Sequence, residues 1–164
     1  MKNKILKALF FSFIFFSSSA INSLEFRCDF EEVHSNGTVN QGIVLLKKNK
    51  LRYEYEDENL FIIFADGEEI YLFDKKKQNI QIVKNNLDAI KIIMMLANQY
   101  PNIKTAFEEN DVKINIEFNS EDNFIKRISI DSKRAKLSLY LNNCILDKPI
   151  NNIFFKFNPV FELR

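Results

Sequence analysis

The chain has 164 residues, of which 46% are apolar, with 17 phenylalanines and no tryptophan. Its formal charge is +1 and the two signs are interspersed, which argues against a nucleic-acid-binding or polybasic membrane-binding protein. This length suits one domain with a sizeable core, which the phenylalanines either fill or line around a cavity.

The first 23 residues have the pattern of a secretory signal peptide. Three lysines within the first seven positions precede an apolar run over residues 8–16, and small residues follow. This run is too short to span a bilayer comfortably, so we predict cleavage after Ala20 or Ser23, with an uncleaved anchor as the alternative. Removal of the three lysines changes the formal charge from +1 to −2. The sequence therefore predicts a mature domain over residues 24–164, located outside the cytoplasm.

The chain contains two cysteines, Cys28 and Cys144. An exported protein can form a disulfide between them, and two buried free thiols are the alternative. We expect neither to be catalytic, because His34, the one histidine, lies in a turn-like segment. The residues before Cys28 form no lipobox, so we expect no lipidation there.

In the first half of the mature chain, alternation of apolar and polar residues predicts six strands. They cover residues 24–30, 39–46, 51–55, 60–65, 68–73 and 79–83. In the third strand, Leu51, Tyr53 and Tyr55 form a dry face that alternates with the charged residues of a wet face.

The turn sequence Asp66-Gly67 predicts a tight hairpin between the fourth and fifth strands. Counting back from it pairs Ile63 with Ile70 on one face and Ile62 with Tyr71 on the other. Both faces of this hairpin are therefore apolar, and an antiparallel sheet with two apolar faces needs a second cover. A helix or a bound lipid would provide it.

The sequence predicts one helix over residues 87–98, capped by Asn85 or Asn86 and ended by Pro101. It is apolar nearly all round, which is typical of a buried helix, and Met94 and Met95 supply adaptable side chains. It is either a core helix packed on the sheet or a lid over a lipid cavity.

Further strands are predicted over residues 112–118, 125–131, 135–141 and 153–157, for a total of nine or ten. This count fits a mainly β fold with a strongly curved antiparallel sheet, partly closed and covered on its concave side. The chain shows neither an internal repeat nor a linker, which favours a single domain.

Two stretches resemble the LolA-type periplasmic lipoprotein carriers. The first begins at Gly42 with an apolar pair and a basic residue, continues through Leu51-Arg52-x-x-Tyr55, and reaches Asp66-Gly67 and Asp74. The second is the tail over residues 131–159, with Leu-x-Leu, Lys148-Pro149-Ile150 and an ending in Phe-Lys-Phe-Asn-Pro.

The resemblance implies a half-open β-barrel over a hydrophobic cavity, closed by a helical lid. In this family the protein is a periplasmic chaperone whose cavity shields the acyl chains of lipoproteins between the inner and outer membranes. Such shielding is needed because an acyl chain loses roughly 0.8 kcal/mol per CH₂ group on entering water. The implied partners are an inner-membrane lipoprotein-releasing ABC transporter and an outer-membrane acceptor. We expect a monomer without cofactor or metal.

On this resemblance we expect nine residues to form the acyl cavity and lid: Leu51, Tyr53, Tyr55, Ile62, Phe64, Tyr71, Ile90, Ile93 and Met94. Lys47 stands where the family has an arginine that holds the lid shut, so we expect it to be the lid latch. Lys48 replaces a family proline, and the short N-terminus leaves little room for the family's leading helix.

There are three alternatives to the function of a carrier. The related outer-membrane acceptor LolB would need a lipobox cysteine, which the sequence lacks. A structural or regulatory periplasmic module of the same fold would sense lipid or bind protein without transport. An enzyme is disfavoured, because the adjacent glutamates (Glu31-Glu32, Glu68-Glu69, Glu108-Glu109) point to opposite faces and are expected to be solvated. A single histidine also provides no metal-ligand cluster.

Overall fold

The computed structural model describes residues 24–67, 69–83, 88–109, 111–133 and 136–157. The predicted signal peptide and the predicted caps Asn85 and Asn86 lie outside these residues. The described strands and helix are β1 (Glu25–His34), β2 (Val39–Lys47), β3 (Lys50–Tyr55), β4 (Phe61–Asp66), β5 (Glu69–Asp74), β6 (Asn79–Val83), α1 (Asp88–Gln99), β7 (Ala106–Glu109), β8 (Val112–Phe118), β9 (Ile125–Asp131) and β10 (Lys136–Leu146). A 3-10 helix, Asn152–Phe155, follows.

The ten strands form one antiparallel sheet in the order β6-β5-β4-β3-β2-β1-β10-β9-β8-β7. Neighbours in the sheet are also neighbours in sequence, except for β1 and β10. The sheet is thus a six-stranded meander and a four-stranded meander that meet at β1 and β10. Its edges are β6 and β7, and α1 connects them, so the chain passes from one edge to the other through the helix. The predicted mainly β class with one antiparallel sheet and one helix is confirmed.

A disulfide between Cys28 and Cys144 joins the two meanders. The residues lie 116 positions apart in sequence, yet their Cα atoms are 4.1 Å apart. The register of β1 against β10 shifts beside it, between Arg27 and Asp29. Closing a loop of this length removes roughly 4–5 kcal/mol of conformational entropy from the unfolded chain. The bond therefore stabilises the one pairing of strands that are distant in sequence.

The two faces of the sheet are covered by different parts of the chain. We call the face that contacts α1 the helix face; its buried residues include Phe26, Cys28, Val44, Leu51, Tyr53, Ile116 and Leu139. The opposite face, here the tail face, has a smaller buried cluster of Ile62, Phe64 and Phe73. The C-terminal segment, residues 147–157, lies on this face. Both apolar faces of the sheet are thus covered, the helix face by α1 and the tail face by the C-terminal segment.

The helix α1, Asp88–Gln99, ends one residue later than predicted, and its predicted first residue, Leu87, lies outside the described residues. Its buried residues are Ile90, Ile92, Ile93, Leu96 and Ala97, while Lys91, Asn98 and Gln99 are exposed. Within the described ranges, we find no helix with the length and apolar content that crossing a membrane requires.

The β4–β5 hairpin is paired two residues away from the predicted register, because its turn lies between Asp66 and Glu69 instead of being centred on Asp66-Gly67. The observed pairs are Ile63–Leu72 and Ile62–Phe73, where the predicted partners are Ile70 and Tyr71. Side chains alternate with a period of two, so an even shift leaves every residue on its predicted face.

Two further predictions about strands are wrong. Residues 153–157 do not form a last strand, because Asn151 accepts a hydrogen bond from the Ile153 amide and starts the 3-10 helix. A strand that was not predicted, β7, pairs with β8 at the edge of the sheet. Its sequence, Ala-Phe-Glu-Glu, is too short and too charged to show a clear alternation.

Candidate functional site

The apolar interior between α1 and the helix face contains six of the nine predicted site residues. Leu51, Tyr53, Ile90 and Ile93 are buried there, and the partly buried residues Tyr55 and Met94 pack against them. The strand residues come from β3 and the others from α1, so the contact joins parts of the chain that are distant in sequence. These six residues form one continuous apolar surface with the core.

Side chains fill the centre of this interior. Val44, Leu51 and Leu96 have 0% of their surface exposed. A side chain that borders a space large enough for water retains some accessible surface, so these three residues border neither solvent nor such a space. An acyl chain could therefore reach the helix face only if α1 moved away from it.

The remaining three predicted residues lie on the tail face. Ile62 and Phe64 are buried there, and Tyr71 packs against them. The ring of Phe157, from the C-terminal segment, makes edge contacts with Phe64 and Tyr71, each at 4.9 Å between centroids. The structure therefore does not bring these three residues together with the other six.

A buried arginine attaches the C-terminal segment to the tail face. Arg52 is only 1% exposed, and its guanidinium donates hydrogen bonds of 2.8 and 2.5 Å to Oε2 of Glu54. It also donates to the carbonyl of Phe154 at 3.1 Å and lies over the Phe64 ring. The prediction that Arg52 belongs to a wet face is wrong, because the C-terminal segment covers it.

Lys47 also contacts the C-terminal segment. Its ammonium donates to the carbonyl of Ile150 at 2.5 Å and lies 3.8 Å from Glu25. Lys47 alternates with Val44 and Leu46, which face α1, so its side chain is on the tail face. These contacts of Lys47 join β1, β2 and the tail, and neither of them is made with α1; its role as the lid latch stays a prediction.

The helix face ends in a polar cluster that the sequence analysis missed. Glu32 is 5% exposed, and its two carboxylate oxygens accept hydrogen bonds from the hydroxyls of Tyr53 (2.8 Å) and Tyr55 (3.0 Å). The Nε2 atom of His34 lies 3.5 Å from Oε2 of Glu32 and 3.3 Å from Nδ2 of Asn40. The prediction that Glu32 is solvated surface charge is wrong.

The sequence contains the signal for this cluster. Glu32 has the same parity in β1 as Phe26, Cys28 and Phe30, and these three are buried on the helix face. The predicted strand ends at residue 30, whereas β1 continues to His34, so Glu32 continues the buried alternation of the helix face. A second glutamate pair in the described ranges, Glu108 and Glu109, is exposed to solvent as predicted.

An aromatic layer separates Glu32 from the apolar interior. The ring of Phe30 stacks on Tyr53 at 3.9 Å between centroids and meets Tyr55 edge-on at 5.4 Å. The absence of a side chain at Gly42 makes this layer possible, because a Cβ there would lie 2.6 Å from the Phe30 ring and 2.0 Å from the Glu54 carbonyl oxygen. Gly42, one of the residues of the LolA-like stretch, thus has a packing role.

Burial and the neighbouring carboxylate keep both tyrosines of this cluster protonated. The pKa of Tyr53 is raised well above its ordinary value, chiefly by burial and then by the charge of Glu32. The pKa of Tyr55 is raised for the same two reasons. Both hydroxyls therefore act as hydrogen-bond donors at neutral pH and satisfy the charge of a carboxylate that is almost out of contact with water.

The contacts described for these sites are apolar packing, ring contacts and hydrogen bonds. Among the described residues, no group of three or more His, Cys, Asp and Glu side chains is arranged to hold a metal ion. No protein-family model matches the chain, and no curated protein matches its sequence. The assignment of function therefore depends on the residues and on the geometry described above.

Proposed function

We propose that this protein is an exported, LolA-type carrier that binds acyl chains between the helix face and α1. The supporting observation is that a 12-residue helix connects the two edges of the sheet and packs its buried side chains, Ile90, Ile92, Ile93, Leu96 and Ala97, against an apolar surface. These contacts are apolar, so an acyl chain of similar shape and polarity could take their place.

The energies of such an exchange are close to balance. Burying an acyl chain of about twelve methylenes gains roughly 10 kcal/mol at 0.8 kcal/mol per CH₂ group. Withdrawing the four large side chains of α1 from the helix face costs about 1.5–3 kcal/mol each, or roughly 6–12 kcal/mol in total. A carrier requires this near-equality, because it must release its cargo as well as hold it.

In this proposal the ten-stranded sheet is the wall of a half-open β-barrel, and α1 is its lid. The closed arrangement, with side chains filling the interior, is the unloaded state. The cargo is the acylated end of a lipoprotein, received from an inner-membrane ABC transporter and delivered to an outer-membrane acceptor in the periplasm. The support for this cargo is the LolA-like stretch from Gly42 to Asp74 and the LolA-like tail.

Binding of a fluorescent fatty acid and of a triacylated peptide to residues 24–164 tests the proposal. We expect saturable binding of both, and we expect Ile93→Glu to weaken it at least tenfold by placing a carboxylate on the buried side of α1. Asn98→Glu adds the same carboxylate on the exposed side of α1 and should leave binding within about twofold. Circular dichroism and thermal melting of each variant separate a loss of binding from a loss of folding.

A structural or regulatory module of the same fold is the second candidate, and the filled interior supports it. With Leu51 and Leu96 at 0% exposure, α1 already acts as a complete core helix. If neither acyl probe binds to the folded wild-type domain, this second function replaces the first.

A further inference from the structure

The two sulfurs of the disulfide have different surroundings. Cys28 is 0% exposed and belongs to the buried cluster of the helix face. Cys144 is partly buried, and it lines a pocket of about 180 Å³. A reagent from solvent can therefore approach the bond from the side of Cys144.

The pocket exists because β9 and β10 separate. Their ladder ends at the pair Tyr140–Arg127, whereas β10 continues to Leu146 along β1. Beyond the last pair, β9 remains paired only with β8, and β10 remains paired only with β1. A gap therefore lies between residues 124–126 and residues 141–144. The polar side chains that line this gap are Asn119, Asp122, Lys126, Asn142 and Asn143.

We propose that Cys144 Sγ is the site of thiol–disulfide exchange in this protein, and that the pocket between β9 and β10 admits the reacting thiol. In the reducing direction, an external thiolate attacks Cys144 Sγ, a mixed disulfide forms, and Cys28 leaves as a thiolate that takes up a proton. In the oxidising direction, the Cys144 thiolate attacks an external disulfide and releases one thiolate. Cys28, as a thiolate, then attacks Cys144 Sγ and displaces the second.

The surroundings of Cys28 favour the closed bond. An apolar environment destabilises a thiolate, so Cys28 is a poor leaving group in the folded protein. Reduction at Cys144 is therefore slow, and the native bond is favoured over the mixed disulfide at equilibrium. The chemical class of the partner is a disulfide or thiol whose sulfur fits a pocket with a largely polar lining, such as glutathione or the exposed cysteine of a thiol–disulfide oxidoreductase.

Two single variants form a matched pair for the test, since Cys28→Ser and Cys144→Ser both remove the same bond. Each is treated with oxidised glutathione under native conditions and again in guanidinium chloride, and adducts are counted by mass spectrometry. We expect the native reaction of Cys144 in Cys28→Ser to be at least tenfold faster than that of Cys28 in Cys144→Ser, with equal rates after unfolding. Equal native rates, or a faster Cys28, would overturn the proposal.

The wild-type protein supplies a second measurement if the variants fold poorly. Brief exposure to reduced glutathione, followed by acid quenching and peptide mapping, should locate the mixed disulfide on Cys144. An adduct on Cys28 would contradict the assignment, and so would reduction of the bond only at the rate of global unfolding. In the Cys28→Ser background, Lys126→Trp should slow the reaction with oxidised glutathione several-fold, because Lys126 lines the pocket and the indole ring would fill it. Lys133→Trp, outside the pocket, should leave the rate unchanged, and equal effects would exclude the pocket as the route.

Discussion

The hydroxyl of Tyr53 donates a 2.8 Å hydrogen bond to Oε1 of Glu32, and both residues are almost completely buried. Tyr55 donates to the other oxygen, so a carboxylate at the end of an apolar face is held by two neutral donors and by nearby His34. Charge-assisted hydrogen bonds of this kind are stronger than neutral ones. The cluster ties β1 to β3 across the intervening strand β2.

Glu32→Gln should lower the free energy of unfolding by about 1–3 kcal/mol. The amide keeps the shape of the carboxylate but presents a donor to one tyrosine hydroxyl, so one buried polar group loses its partner. Glu31→Gln is the matched control, because Glu31 points to the opposite face, where it accepts from Gln41. Urea unfolding should show a change below about 0.5 kcal/mol for the control. Equal effects would mean that the buried charge has no special role.

The raised pKa values of Tyr53 and Tyr55 predict a loss of stability in alkali. Above pH 10, the ordinary tyrosine pKa, the unfolded chain loses these protons while the folded chain keeps them. The stabilisation is therefore present below pH 10 and decreases as pH rises, by about 1.4 kcal/mol per pH unit for each tyrosine. Urea unfolding at several pH values measures this slope, which the double variant Tyr53→Phe, Tyr55→Phe should flatten. Ultraviolet titration showing both phenols ionising near pH 10 in the folded protein would contradict it.

Arg52→Lys should destabilise the protein by about 3 kcal/mol and release the C-terminal segment to proteolysis. A lysine cannot reproduce the planar fork that binds Glu54 and the Phe154 carbonyl while lying on Phe64, and it leaves the partly buried Glu54 carboxylate poorly paired. Lys50→Ala serves as the control, since it removes an exposed ion pair with Asp66 that is expected to contribute below 1 kcal/mol. Limited proteolysis with mass spectrometry should show cleavage within residues 147–157 in the first variant alone.

Gly42→Ala should cost about 2 kcal/mol or more of unfolding free energy. The new Cβ would clash with the Glu54 carbonyl oxygen, a backbone atom of the neighbouring strand, and with the Phe30 ring. Phe30→Leu in the same chain should not restore stability, because the nearer clash is with the backbone. Gln41→Ala, one residue earlier and exposed, should change the thermal melting temperature by less than 2 °C. A stable Gly42→Ala protein would refute the packing role of this glycine.

Local pattern was sufficient to predict most of the strands and the helix. Alternation correctly predicts β3 and β8, and the nearly continuous apolar run predicts the end of α1 to within one residue. Tight hairpins bring together residues close in sequence, so the two meanders also follow from local signals. The pairing of β1 with β10 does not, because no local signal specifies which strands meet after more than a hundred residues.

The candidate site was predicted in part for the same reason. Leu51 and Tyr53 alternate with charged residues, the predicted helix is apolar nearly all round, and the structure packs these residues together in one buried cluster. Phe64 has an equally dry pattern, but which apolar face the helix covers and which the tail covers depends on tertiary packing. The burial of Arg52 and Glu32 required knowledge of their partners, the Phe154 carbonyl and the two tyrosine hydroxyls, which lie elsewhere in the chain.

Photo-crosslinking with a diazirine-bearing fatty acid, mapped by mass spectrometry on residues 24–164, tests most directly whether acyl chains bind under α1. The account predicts labelling of helix-face residues such as Leu51 and of α1 residues such as Ile93 and Met94, with competition by unlabelled fatty acid. Labelling confined to the exposed apolar residues of the other face, Ile80, Ile82 and Phe157, or labelling without competition, would contradict it.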